Sequence, residues 1–81
     1  NPEPVWAMKG VRLAAAPRVV GGKHLKMTLR AGGKRFEAIA FNYPLSALPE
    51  GGIDVAFTLQ KNCWNGKTGL QFQVRDIRVA E

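Results

Sequence analysis

The fold of this chain can be inferred from one short stretch, Asn62-Cys63-Trp64-Asn65-Gly66-Lys67. Asn-Gly readily adopts the positive φ angles of a type I′ turn, and the residues on both sides alternate between apolar and polar. This combination predicts a β-hairpin over residues 53–79, with Asn65 and Gly66 as its loop. Counting outward from the loop gives one apolar face and one polar face. The predicted pairs are Leu59 with Phe72 and Phe57 with Val74 on the first face, and Gln60 with Gln71, Thr58 with Gln73 and Ala56 with Arg75 on the second.

A second hairpin is predicted by Gly32-Gly33, which permits a tight turn between two further alternating segments. These segments run from Lys23 to Arg30 and from Lys34 to Phe41. The predicted inner pairs are Leu29 with Phe36, Met27 with Ala38 and Leu25 with Ala40. The predicted outer pairs are Arg30 with Arg35, Thr28 with Glu37, Lys26 with Ile39 and His24 with Phe41. Solvated sheet faces normally carry polar residues throughout, so this outer face indicates a ligand site, a face covered by the first strand, or a different register.

The remaining segments complete a small all-β domain. The first strand-like stretch, from Val5 to Val20, is long and imperfect, and Gly10 and Pro17 predict a bulge, bend or strand end in it. Residues 42–52 form a connector in which Leu45 to Leu48 fit one helical turn. In the last strand a change of phase predicts a bulge near Asp76. Five strands with a helical segment between the third and fourth predict an OB-fold, a five-stranded Greek-key barrel, as a single domain over residues 1–81.

Composition narrows the function class. Twelve Lys and Arg against six Asp and Glu give a net charge of +6, which favours polyanionic partners. The lone cysteine, Cys63, excludes an internal disulfide and suits a reducing compartment. We find no apolar run long enough to cross a bilayer and no signal-peptide pattern, so we expect a cytoplasmic protein with no membrane partner.

The OB-fold prediction places candidate ligand-binding residues on the second and third strands and the flanking loops. In such domains cations follow phosphates and aromatic rings stack on bases of single strands. The predicted nucleic-acid-binding residues are Lys23, His24, Lys26, Arg30, Arg35, Phe41, Lys61, Trp64, Lys67 and Arg75. Alternatives remain open for three of them: the Trp64 ring folded over the barrel end, Phe41 covered by the first strand, and His24 in a solvated or packing role.

Catalytic chemistry is not predicted for this segment. Two-metal phosphodiester cleavage needs several Asp and His ligands, whereas the chain has one His, His24, and two Asp, Asp54 and Asp76, which no motif groups together. Cys63 has no evident His partner and is interpreted as a loop residue. Gly21-Gly22 lacks a Walker pattern and is interpreted as a turn. We therefore expect no catalytic residues, no metal site and no cofactor in this segment.

Several segments together resemble the C-terminal OB-fold of RecJ, the bacterial single-strand-specific DNA exonuclease of the DHH phosphoesterase superfamily. They are Asn1-Pro2-Glu3-Pro4-Val5-Trp6, Val20-Gly21-Gly22-Lys23-His24-Leu25-Lys26, Ala38-Ile39-Ala40-Phe41, Asn62-Cys63-Trp64-Asn65-Gly66 and Leu70-Gln71. The resemblance covers nearly the whole chain in order; Trp6 stands where that family more often has Phe, and the connector over residues 42–52 is a local variation.

This resemblance implies that residues 1–4 end a linker from a preceding catalytic region. It also implies that the domain helps to hold single-stranded DNA while other domains hydrolyse it from the 5′ end with manganese or magnesium, in DNA repair and recombination. Two alternatives stay open. One is a protein-interaction module that docks the nuclease core or the acidic tail of a single-strand-binding protein. The other is a small basic RNA-binding barrel.

Overall fold

The computed structural model describes residues 4–64 and 66–80, and for residues 62–64 it describes the backbone alone. This part of the chain contains six strands and one turn of 3-10 helix. The elements are β1 (Trp6–Leu13), β2 (Arg18–Val20), β3 (His24–Ala31), β4 (Lys34–Ala40), the 3-10 turn (Leu45–Ala47), β5 (Ile53–Trp64) and β6 (Lys67–Val79). Across these ranges no helix is long and apolar enough to cross a membrane.

The strands form one sheet that closes into a barrel. Their order is β1-β5-β6-β4-β3-β2, and β1 also pairs with β3. The pairing of β4 with β6 is parallel, and the other pairings are antiparallel. Together, β1 and β2 occupy the place of the first strand of a five-stranded barrel, and the 3-10 turn follows its third strand. The predicted OB-fold is therefore confirmed.

The first strand is interrupted at the two places that its sequence predicts. Gly10 has a φ of 66°, and the register between β1 and β5 shifts between Met8 and Val11. At this bulge the Gly10 N–H donates a hydrogen bond to Asp54 Oδ1 at 2.8 Å, so a side chain supplies the acceptor that the strand ladder lacks. The chain then leaves the sheet over residues 14–17, which include Pro17, and returns as β2.

The hairpin of β3 and β4 has the predicted register. All of its predicted inner pairs are confirmed, as are the outer pairs Arg30 with Arg35, Thr28 with Glu37 and Lys26 with Ile39. The inner residues Leu25, Met27, Leu29, Ala38 and Ala40 are buried. The large side chains of Leu25 and Met27 thus face the small ones of Ala40 and Ala38, so the two strands fill the core without overpacking it.

The hairpin of β5 and β6 follows the prediction from Trp64 opposite Lys67 to Phe57 opposite Val74. Asn65 lies outside the described residues, and Gly66 has the positive φ, 72°, that the turn requires. The prediction that Ala56 pairs with Arg75 is wrong: Ala56 pairs with Asp76, because the β6 bulge takes up Arg75. A bulge near Asp76 is therefore confirmed, and it returns Ile77 and Val79 to register with Val55 and Ile53.

Among the side chains that the structure describes, ten buried apolar ones form the core. They are Val11, Leu25, Met27, Leu29, Ala38, Ala40, Ile53, Val55, Phe57 and Phe72. At one end of the core Phe72 lies between two other rings, with centroid distances of 3.9 Å to Phe57 and 5.0 Å to Phe36. Stacked rings of this kind bury large apolar areas, so they dominate the packing of so small a barrel.

Two side chains fasten the connector between β4 and β5. The His24 ring accepts a hydrogen bond at Nδ1 from the N–H of Asn42, at 3.1 Å, where the backbone has a φ of 54°. Farther along, the Tyr43 hydroxyl donates to the Ala47 carbonyl at 2.9 Å and closes over the 3-10 turn. Burial raises the pKa of Tyr43, and the charge of Asp76 raises it further. The first hydrogen bond therefore ties the start of the connector to β3, and the second holds the connector's own turn together.

Candidate nucleic-acid interface

The outer face, defined here as the solvent side of β3 and β4, carries most of the predicted binding residues. Successive side chains of a strand point to opposite faces, so one set of β3 and β4 residues points into the core and the other set points to solvent. From β3 the face receives His24, Lys26, Thr28 and Arg30, and from β4 it receives Arg35, Glu37 and Ile39. Arg30 and Arg35 are exposed, and Lys26 is half-buried. The structure thus brings together the two halves of the predicted site.

Cations on this side of the barrel stand directly opposite one another across neighbouring strands. Arg30 pairs with Arg35 on β4 and with Arg12 on β1, and Lys26 pairs with Arg18 on β2. Like charges at directly opposed positions destabilise a sheet unless something neutralises them. The paired cations therefore form a surface that is electrostatically complementary to an anion.

Arg12 and Arg18 were not among the residues predicted to bind. Their strand faces could not be assigned from the sequence because Gly10 and Pro17 interrupt the alternation on either side of them. The pairing of β1 and β2 with β3 fixes both faces. The signal available in the sequence was their charge alone.

Phe41 provides an exposed aromatic ring at one end of the outer face. Its edge-to-face contact with the His24 ring has a centroid distance of 5.1 Å, and 46% of the residue is exposed. The alternative in which the first strand covers Phe41 is therefore wrong. His24 combines this packing contact with the Asn42 hydrogen bond, which leaves Nε2 as the ring atom that can donate to a ligand.

A single carboxylate lies in the middle of the outer face. Glu37 accepts a hydrogen bond from the Thr28 hydroxyl at 3.2 Å. Along β3, Thr28 separates Lys26 from Arg30, so the cations form two groups with a neutral hydroxyl and an acid between them. An anionic ligand is attracted to the two groups and repelled between them.

The other predicted lysines lie at two separate places on the barrel. Lys23 is exposed in the turn that precedes β3. At the opposite end, Lys61 and Lys67 are exposed on β5 and β6, but the register puts Lys61 opposite Leu70, on the other face of the hairpin from Lys67. Because Lys61 shares the apolar face, the two lysines do not flank one site symmetrically. The side chain of Trp64 lies outside the described part of the chain.

Arg75 is displaced from the outer face. It is exposed and occupies the bulge of β6, beyond the two residue pairs that join β6 to β4. Its role in binding stays a prediction.

The two aspartates have structural partners. Asp54 accepts the Gly10 N–H, and Asp76 forms an ion pair with Arg78 at 2.9 Å. Among the described residues no group of three or more His, Cys, Asp or Glu side chains could hold a metal ion.

An apolar groove of about 540 Å³ opens at the barrel end near the β5–β6 turn. Its floor is the ring stack of Phe36, Phe57 and Phe72, and its lining also includes Arg35 and Glu37 of the outer face. Its apolar rim consists of Trp6, Leu59 and Leu70. The rim residues are 52%, 41% and 62% exposed. Contiguous exposed apolar surface of this kind is typical of contact sites for other protein surfaces or ligands.

Comparisons with known proteins agree with this architecture. A family model described as the RecJ OB domain matches residues 1–76. The crystal structure of RecJ from Thermus thermophilus in complex with Mg²⁺ is similar over 100% of this chain, with 32% sequence identity and a TM-score of 0.68. This chain spans 12% of the length of that RecJ chain. No curated protein sequence matches it. The chain belongs to the RecJ OB-domain family.

Proposed function

We propose that this domain binds single-stranded DNA across its outer face, as the strand-gripping module of a RecJ-like nuclease. Lys23, Lys26, Arg30 and Arg35 contact phosphates, His24 donates from Nε2, and Phe41 stacks on a base. Lys61, Trp64, Lys67 and Arg75 extend this contact set around the barrel. In the parent nuclease the domain holds the strand while a separate catalytic region cleaves it from the 5′ end with manganese or magnesium, in cytoplasmic DNA repair and recombination.

The observation on which this proposal depends is the set of directly opposed cations next to an exposed ring. Unpaired nucleic acid presents both phosphates and free base faces, and proteins bind it with cationic grooves and aromatic platforms. Duplex DNA keeps its bases stacked, so a ring such as Phe41 gains nothing from it. Sequence preference should be weak, because every base offers a π face.

We expect this chain to bind a fluorescent single strand of about 12 nucleotides, within the range that one OB-fold covers. Four phosphate contacts predict a slope of about −3 in the logarithm of affinity against the logarithm of salt concentration. The measurement is fluorescence anisotropy at several salt concentrations. A duplex and an RNA of the same sequence serve as competitors.

Three results contradict the proposal, two from this titration and one from a parallel titration with an acidic peptide. A salt-independent affinity excludes phosphate contacts as its source. Preference for the RNA supports a basic RNA-binding barrel instead. Tighter binding of an acidic peptide, with the composition of a single-strand-binding protein tail, supports a protein-interaction module.

The apolar groove favours a second role for the same domain, which is docking onto the nuclease part of the parent chain. The related RecJ chain is far longer than this domain, so it offers ample surface to cover Trp6, Leu59 and Leu70. The groove adjoins the outer face and shares Arg35 and Glu37 with it, so a docked nuclease part would lie beside the bound strand.

For this docking role we expect Leu70→Glu to weaken association with the nuclease part while leaving the domain's own melting temperature unchanged. Val79→Glu is the matched control, because Val79 lies on the same strand, is equally exposed at 62% and is outside the groove. Association can be measured by calorimetry between this domain and the separately expressed nuclease part. Equal affinities for the two variants would exclude the groove as the contact.

A further inference from the structure

Three arginines form a continuous row across three neighbouring strands. Arg12 on β1 lies opposite Arg30 on β3, and Arg30 lies opposite Arg35 on β4. Directly paired residues share a face, and their Cα atoms are about 4.5 to 5.5 Å apart, so the three side chains leave the barrel side by side. All three are exposed. Arg12, Arg30 and Arg35 are called the arginine row below.

No described residue neutralises the arginine row. None of its members forms an ion pair or hydrogen bond with any residue in the described ranges. The acid nearest to it in register, Glu37, accepts its hydrogen bond from Thr28 instead. By contrast, Arg78 is paired with Asp76. Two adjacent like-charged pairs without a counter-charge weaken the sheet, and a bound anion would offset this repulsion.

We infer that the arginine row is a phosphate-binding site that carries the single strand from the outer face onto β1, with Arg12 as a binding residue. This inference rests on the proposed function. A guanidinium group presents five donors in a planar fork that matches phosphate oxygens in a bidentate manner. Three neighbouring forks of this kind suit the phosphate backbone of a nucleic acid.

The position of the row defines the path of the bound strand across the outer face. Along β3 the row at Arg30 is four residues from Lys26, or about 13 Å at 3.3 Å per residue. The second cation group, Lys26 with Arg18, lies next to the His24 and Phe41 rings. The single strand therefore has base-stacking contacts at one end of the face and a phosphate clamp at the other, with Glu37 between them.

The test compares Arg12→Ala with Lys9→Ala in the same single-strand titration. Each variant removes one exposed positive charge from β1, but Lys9 borders a separate depression together with Asp54 and Asp76. We expect Arg12→Ala to weaken binding about fivefold and to reduce the magnitude of the salt slope by about 0.7. Lys9→Ala should change the affinity less than twofold. Arg12→Lys should keep the slope and lose part of the affinity, because it retains the charge without the fork.

The outcomes separate this inference from the proposed function. If the wild-type chain binds single-stranded DNA and the two alanine variants weaken it equally, the arginine row is not a phosphate site, although the proposed function stands. If the wild-type chain binds no single-stranded DNA at low salt, both are wrong. If the chain binds an acidic peptide instead of single-stranded DNA, and Arg12→Ala lowers the affinity for that peptide, the row recognises carboxylates. The inference is then overturned.

Discussion

Replacing Phe72 with alanine is expected to unfold this domain. The Phe72 side chain is buried and stacks on Phe57 at 3.9 Å and on Phe36 at 5.0 Å, so its removal deprives two other rings of their packing partner. Phe-to-Ala changes in cores cost about 3 to 5 kcal/mol. Domains of ordinary size have a free energy of unfolding of about 5 to 15 kcal/mol, and small ones are at the low end.

Urea denaturation followed by circular dichroism measures this effect. Leu70→Ala is the control, because Leu70 lies two residues earlier on the same strand and the same face but is 62% exposed. We expect it to change the free energy of unfolding by no more than about 0.5 kcal/mol. A Phe72→Ala variant that unfolds at the wild-type urea concentration would show that the ring stack does not hold the barrel together.

Arg30→Glu is expected to change stability and binding in opposite directions. Arg30 is the middle member of the arginine row, so a glutamate there converts two like-charged cross-strand pairs, with Arg12 and Arg35, into two opposite-charged pairs. On an exposed face this should stabilise the fold by about 0.5 kcal/mol. Loss of a charged hydrogen bond to phosphate, together with repulsion, should weaken single-strand binding by about 10- to 100-fold.

Arg30→Gln separates the effect of losing the positive charge from the effect of adding a negative one, because it does only the first. It should give intermediate values for both the melting temperature and the affinity. The measurements are thermal denaturation at low salt and the anisotropy titration. If Arg30→Glu lowers both stability and affinity, the loss of binding follows from damage to the fold and says nothing about phosphate contacts.

Both hairpins were predictable because two independent signals agree in them. In β3–β4 and in β5–β6, glycine-containing turns and strict alternation specify the same register, and a slip of one residue would expose every large apolar side chain. The outer face followed from that register, including Lys26, Arg30 and Arg35. The single mispaired residue, Ala56, lies at a bulge, where one added residue changes the pairing without changing the composition.

The residues that the first strand contributes to the binding surface, Arg12 and Arg18, were not predictable in the same way. Gly10 and Pro17 mark where the strand is interrupted but not how many residues each interruption takes up, so the phase of Arg12 and Arg18 is undetermined until β3 is placed beside them. The apolar groove was missed for a related reason. Leu59 and Leu70 alternate like core residues, but they lie where the hairpin extends past the barrel.

The parallel pairing of β4 with β6 has a consequence for how the chain folds. Among the described residues, two pairs register across this seam, Ala38 with Phe72 and Ile39 with Gln73, and they join segments that are far apart in the sequence. The hairpins on either side of the seam consist of local contacts, which form quickly, whereas closing a long loop carries an entropic cost. We therefore expect the β4–β6 seam to form after the hairpins, as we do for the β1–β5 pairs such as Trp6 with Phe57, which are even farther apart in the sequence. The stacked ring of Phe72 lies at the β4–β6 seam.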